Sequence, residues 1–271
     1  MQFGLMIIGD EIVHGSRADK HFSFFKTLLQ SKGLQLAWVQ YLPDDRALLV
    51  RQLKRSFVDG GPVLVTGGIG ATPDDHTRQA AAAALDRPLV RHPDAIKILE
   101  DITLKRGDTL DSAGHQQRAK MADFVAGATL IPNPFNHIAG FSIQEHYFFP
   151  GFPQMAHPMA EWVLDHYYQQ TFFQTKYAHR AAIVDGLPES AVGPVMDNIE
   201  ANWDGIKTFS LPTIHQDNPG EAHQRHYRLE FGLKATDAAC AHIQAAWEDA
   251  LAQLRALGAT SIHILEKSSE E

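Results

Sequence analysis

Residues 62–66, PVLVT, run directly into GGIG at 67–70. A short apolar run with no polar face must be covered on both sides, which predicts a fully buried strand of a parallel sheet. A glycine cluster immediately behind it predicts a tight loop, because glycine accepts backbone angles and close approaches that a side chain forbids. The rest of the first 170 residues fits that strand. Further strands are expected over 3–8, 34–42, 128–131, 140–144 and 146–149. Helices are expected over 18–32, 44–57, 73–85, 93–106, 112–123 and 154–168. Alternation of strand and helix implies right-handed crossovers and an α/β domain with a mostly parallel sheet.

The pattern loosens over 169–178, and a different order follows: strand 180–184, helix 190–202, strands 207–211 and 226–234, an Ala-rich helix 237–257 and a closing strand 261–266. That order, βαββαβ, is the split βαβ of a small α+β ferredoxin-like domain, an architecture that hosts many unrelated functions. With 271 residues, 44% of them hydrophobic, the chain is long enough for two modest cores. The expected domains are 1–170 and 179–271.

The glycine loop carries the strongest chemical signal. Gly67, Gly68 and Gly70 sit at the C-terminal end of a parallel strand, where open α/β sheets bind ligands, and ahead of an expected helix N-terminus, where backbone amides attract anions. No Lys-Ser/Thr pair follows as in a phosphate-binding P-loop, and the dinucleotide fingerprint lacks its third glycine. Asp74 and Asp75 follow instead. Two carboxylates beside a phosphate make sense with a divalent cation between them, so both are candidate metal ligands and catalytic residues. They serve equally well as structural acids behind a Thr72 cap and Pro73. Asp10 and Glu11 follow the first strand to the same sheet edge, as pocket residues or as a solvated turn. Asn133 within PNP, and Gly151 within PGFP, lie in rigid loops whose residues either make turns or touch a polar ligand. Lys120 and Arg118 reach phosphate or are simply solvated; His76 is a candidate proton carrier. His223 and His226 beside Glu221 have no third ligand in sight for zinc.

Lys+Arg 24 against Asp+Glu 32 gives a net charge of −8, which disfavours nucleic acid as a partner. The single cysteine, Cys240, forms no internal disulfide, reads as packing within the Ala-rich helix and suits a reducing compartment. No leader-like segment and no apolar run of roughly 18 residues is present, so a cytoplasmic protein away from membranes is expected. The polar end at 267–271 is expected to fray.

GDEIVHG at 9–15, TGGIGATPDDHT at 66–77, LIPNPFNHIAGF at 130–141 and FFPGFPQMAHPM at 148–159 stand in an order that resembles the competence/damage-inducible protein CinA family, N-terminal type. That domain is itself similar to the molybdopterin-binding MoaB/Mog fold. The resemblance covers about residues 1–170. It implies a three-layer α/β domain with a pocket for a phosphorylated nucleotide or a molybdopterin-like ligand; a homo-oligomer is expected as well. It implies, further, a divalent-metal-dependent pyrophosphatase of the kind that splits ADP-ribose or FAD, using Mg²⁺, Mn²⁺ or Co²⁺. Gly67, Gly68, Gly70 and Thr72 would then meet phosphates and Asp74 and Asp75 the metal, with Asp10, Glu11, Lys120, Asn133 and Gly151 around the ligand. The chain departs from the pattern at Ala71, where the family has proline, and at PGFPQM, a residue shorter than the family's PGVPxEM and without its glutamate. A non-catalytic molybdopterin- or nucleotide-binding module is therefore the alternative, and a structural or regulatory protein with a vestigial pocket a third. The family's C-terminal amidohydrolase domain is not recognisable in 179–271.

Overall fold

The structure, a computed structural model, describes residues 1–213 and 227–265. It divides into two compact units, Met1–Gln174 and Thr175–Glu271. The first contains, in chain order, β1 (Gln2–Ile8), α1 (Asp10–Val13), α2 (His21–Ser31), β2 (Gln35–Leu42), α3 (Arg46–Asp59), β3 (Val63–Thr66), α4 (Thr77–Ala84), β4 (Leu89–Arg91), α5 (Pro93–Lys105), α6 (Ala113–Ala119), β5 (Asp123–Val125), β6 (Thr129–Ile131), β7 (Gly140–Ile143), β8 (His146–Phe149) and α7 (Pro153–Val163).

Its main sheet runs β2-β1-β3-β8-β7-β6. β2, β1, β3 and β8 are mutually parallel, and β7 and β6 complete the edge antiparallel. The alternation of strand side chains builds the layers. Phe3, Leu5 and Ile7 of β1 pack with Phe25 and Leu29 of α2 and with Met159 and Val163 of α7. Met6 and Ile8 face the other way, against Leu49 and Leu53 of α3 and Ala80 and Ala81 of α4. Helices thus cover both faces, giving the three-layer α/β domain. All four residues of β3 are buried, as its composition requires.

The second unit is β9 (Tyr177–Asp185), α8 (Glu189–Asn202), β10 (Ile206–Pro212), β11 (Arg228–Thr236), α9 (Ile243–Ala256) and β12 (Ser261–Leu265). Its sheet order, β10-β11-β9-β12 with antiparallel neighbours, is that of a ferredoxin-like sandwich.

Several local expectations are corrected. The helix expected from residue 73 begins at Thr77. Residues 112–123 are not one helix: α6 ends at Ala119, a 3-10 turn follows, and Asp123–Val125 pairs with Leu89–Arg91 as a two-stranded ribbon. The Ala-rich stretch from 237 is also broken, into a 3-10 turn (Asp237–Ala241) and α9. Asp237, at the start of that turn, takes φ 51°, and its amide donates to the Lys176 carbonyl at 2.8 Å. Cys240 lies in that turn and packs against the second unit's core. His223, His226, Glu221 and the 267–271 tail lie outside the described residues.

One buried histidine sets a pH dependence. His146 is fully buried beneath α3; its Nδ1 donates to the Gln144 carbonyl at 2.9 Å, so Nε2 accepts from the Ser56 hydroxyl at 2.7 Å. Burial pulls its pKa down from 6.5 to about 4. Below its ordinary pKa the unfolded chain takes up a proton that the fold refuses, so stability falls as pH drops from about 6.5 towards 4, by on the order of 3 kcal/mol. The urea midpoint should fall between about pH 7.5 and about pH 5; a midpoint that holds steady would contradict this.

Candidate functional site

Because β1, β3 and β8 are parallel neighbours, Ile8, Thr66 and Phe149 end at one edge of the sheet. The segments that follow them converge on a cleft of about 370 Å³. Glu11, Gly67, Gly68, Gly70, Thr72, Asp74, Asp75 and Gly151 all line it. Asp10 stands beside it and exchanges bonds with Asp44: the Asp10 amide donates to Asp44 Oδ2 at 2.9 Å, and the Asp44 amide to Asp10 Oδ1 at 3.2 Å.

The glycines are there for space. Gly67 takes φ 99°, and a Cβ on it would lie 2.0 Å from the Ile8 carbonyl oxygen; a Cβ on Gly70 would lie 2.5 Å from Asp75 Oδ2. The Asp75 carboxylate pulls the loop round itself. Oδ1 accepts from the Gly70 amide at 2.8 Å, and Oδ2 accepts from the Thr72 amide at 2.8 Å and the Thr72 hydroxyl at 2.5 Å. This is why α4 starts late: residues 72–75 form a turn closed by Asp75 N–H donating to the Thr72 carbonyl, so neither aspartate occupies the first turn of the helix. Thr77 anchors the far side, its hydroxyl donating to the Gly67 carbonyl at 2.9 Å and its amide to the Gly68 carbonyl at 3.0 Å. Among the described residues, the amides of Gly68, Ile69 and Ala71 have no hydrogen-bond partner.

Arg78 locks the arrangement from beneath. It is 2% exposed, and its guanidinium donates to the carbonyls of Gly70 and Lys120. Burial lowers its pKa, opposed by the charges of Asp75 and Asp123. From α6, Gln117 donates to the Ala71 carbonyl and accepts from Lys120 Nζ at 2.7 Å. Arg78, Gln117, Asp44 and Arg17 were not singled out from the sequence.

The cleft is strongly acidic. Asp74 is exposed and held below the usual carboxylate range, first by the nearby Thr72 hydroxyl and then by its own amide. Asp44 is pushed up, first by burial and further by the charges of Asp10, Glu11 and Asp74, with the Asp10 amide opposing. Arg17, exposed and 3.9 Å from Glu11, is the cation lining the cleft among the described residues.

Asn133 and Lys120 are not brought to this cleft. Asn133 is 2% exposed; it donates to Asn136 Oδ1 at 2.8 Å and the Ile138 carbonyl at 3.0 Å and accepts from the Phe135 amide at 3.0 Å. It ties its own loop and lines a different cavity, with Trp162. Arg118 is paired internally with Asp108 at 2.7 Å. His76 precedes α4 without capping it.

A family model described as "Probable molybdopterin binding domain" matches residues 4–170. A CinA-like protein of Geotalea uraniireducens is 29% identical over 251 residues, covering 88% of this chain and 58% of that protein. One from Syntrophobacter fumaroxidans is 30% identical over 213 residues, covering 77% and 49%. The chain thus spans about half the length of the curated relatives it matches. Among solved structures, CinA from Thermoplasma acidophilum, described as of unknown function, superposes with a TM-score of 0.53 at 22% identity, over 60% of this chain and 95% of that one. It shares the fold. No helix among the described residues is long and apolar enough to cross a membrane.

Replacing Arg78 by lysine should loosen the loop, because a single ammonium cannot reach both carbonyls as the planar guanidinium does. Loss of charge-assisted bonds in a buried site costs about 2 kcal/mol or more, which the urea midpoint would register; a midpoint equal to the wild type's would show that Arg78 does not hold the loop.

Proposed function

We propose, from the premise that the chain belongs to the molybdopterin-binding domain family of CinA-like proteins, that the glycine-loop cleft binds the phosphates of a nucleotide- or pterin-type ligand and hydrolyses a nucleotide pyrophosphate such as ADP-ribose or FAD. The observation that carries the reading is the set of unpartnered amides at Gly68, Ile69 and Ala71, in a loop already fixed by Asp75 and Arg78. Pre-oriented N–H donors around an anion need little reorganisation on binding. Arg17 lines the same cleft and adds the positive charge the loop lacks.

Among the described residues no three His, Cys, Asp or Glu side chains gather closely enough to hold a metal ion unaided. Both Asp75 oxygens already carry hydrogen bonds. The donor set fits a Mg²⁺-like ion, or Mn²⁺ or Co²⁺, that takes the exposed Asp74 carboxylate and completes its shell with phosphate oxygens and water. Bound there, such an ion would supply Lewis acidity and offset the acidic cleft's repulsion of phosphate. The chain's own residues do the rest. The loop amides orient the phosphate, Asp75 keeps them in place, and Asp44, with its raised pKa, is suited to accept a proton from attacking water.

The second reading is a binding module without turnover. Its support is the PGFPQM segment: Gly151 and Phe152 line the cleft, and no carboxylate comes from that loop.

Incubation with ADP-ribose, FAD or NAD and Mg²⁺, Mn²⁺ or Co²⁺ should release AMP, and Asp44→Asn should lower turnover by about 100-fold. Saturable binding with no AMP release would favour the module. Neither binding nor release would sink both readings.

A further inference from the structure

The main sheet ends at β6, and a hollow of about 670 Å³ opens at that edge. It shares no residue with the glycine-loop cleft. Ile98 and Ile102 of α5, Leu130 of β6, Pro132 and Pro134 of the following loop and Trp162 of α7 give it apolar walls.

The loop that forms one wall also carries a protrusion. Phe135, between the lining residues Pro134 and His137, is 60% exposed. The backbone around it is pinned from within. The Phe135 amide donates to Asn133 Oδ1 at 3.0 Å, Asn133 Nδ2 donates to Asn136 Oδ1 and to the Ile138 carbonyl, and the Ile138 amide donates to Asn136 Oδ1 at 2.9 Å. His137, at φ 66°, closes the loop with its amide on the Asn133 carbonyl at 2.9 Å. A lone exposed aromatic is ordinary on a protein surface. One held out by a fixed loop beside an apolar hollow puts a knob and a recess on one patch, which is what a two-fold interface requires of a single surface.

The charges on the patch complement one another in the same way. Asp101 and Lys105, both exposed, line the hollow one turn apart on α5. Asp followed by Lys four residues on is a favourable pairing on a helix, yet neither side chain has an ion-pair partner among the described residues. Turned on itself by a two-fold axis, the wall sets Asp101 of each copy opposite Lys105 of the other. A peptide of one sign would satisfy one of these charges and repel the other, and a small apolar ligand would leave both open.

We propose that this patch is the interface of a two-fold homodimer, in which Phe135 of each copy enters the hollow of the other and Asp101 and Lys105 pair across the axis. The proposal is independent of what the glycine loop binds.

Sedimentation velocity of the full chain across the micromolar range tests it, with the wild type expected to run as a dimer. Phe135→Asp, which carries a charge into an apolar recess, should weaken self-association by about tenfold or more. Asp101→Lys and Lys105→Asp each bring like charges together and should weaken it about tenfold singly. The two combined reverse both ends of the pairing and should restore association to within about twofold of the wild type. All three positions are exposed, so the fold does not rest on them. A monomeric wild type, a dimer whose association none of these variants moves, or a double variant no tighter than the single ones would overturn the proposal. A monomer whose hollow takes up the dye anilinonaphthalene sulfonate would overturn it in favour of a small apolar ligand.

Discussion

Both oxygens of the Asp75 carboxylate are committed to the loop that precedes it, and the cleft takes its shape from that commitment. By accepting from the amides of Gly70 and Thr72 and from the Thr72 hydroxyl, Asp75 delays the start of α4 and leaves the amides of Gly68, Ile69 and Ala71 without a partner among the described residues. Only glycine fits at Gly67, where the chain leaves β3 at φ 99° against the Ile8 carbonyl, and a side chain at Gly70 would displace the carboxylate itself. Arg78 sits under both, buried, and offsets the charge of the carboxylate while tying the Gly70 carbonyl to that of Lys120. A loop of this length with so few free torsions holds its donors without a ligand, which is the condition for binding an anion cheaply.

The charge balance of the cleft is its second feature. Asp10, Glu11, Asp44 and Asp74 crowd one side, and the elevated pKa of Asp44 records that crowding together with burial. A chain of net charge −8 therefore offers phosphate a site with oriented amides and Arg17 in its favour and at least four carboxylates against it. A divalent cation arriving with the ligand would reverse the balance. The same arithmetic argues against a long polyanion, whose many phosphates would find no matching field.

Much of this was legible in the sequence. The apolar run of β3 and the glycines behind it placed the loop at the edge of a parallel sheet, and the alternation of elements gave the α/β layer order and the split βαβ that follows. Short-range carboxylate bonding was not legible. Thr72-Pro73 reads as a helix start by local preference, whereas the tertiary position of Gly70 gives Asp75 stronger partners than a helix terminus would. The Ala-rich stretch begins on a second such contact, Asp237 with Lys176, which lies far away in sequence. Asn133 reads as a ligand contact or a turn residue, because its amide can both donate and accept; in the structure that amide bonds Asn136, Ile138 and Phe135 of its own loop. Arg17 and Asp44 carry no sequence signature, since their roles arise from strands and helices brought together only by folding.

On the proposed reading, the unpartnered amides of the glycine loop are the phosphate-binding surface. Amide proton–nitrogen correlation spectra recorded while pyrophosphate and Mg²⁺ are titrated in would test it directly. Saturable shifts led by Gly68, Ile69 and Ala71 are expected, with Gly70 and Thr72, already bonded to Asp75, moving less. Shifts concentrated elsewhere, or no saturable shift in the loop, would contradict it.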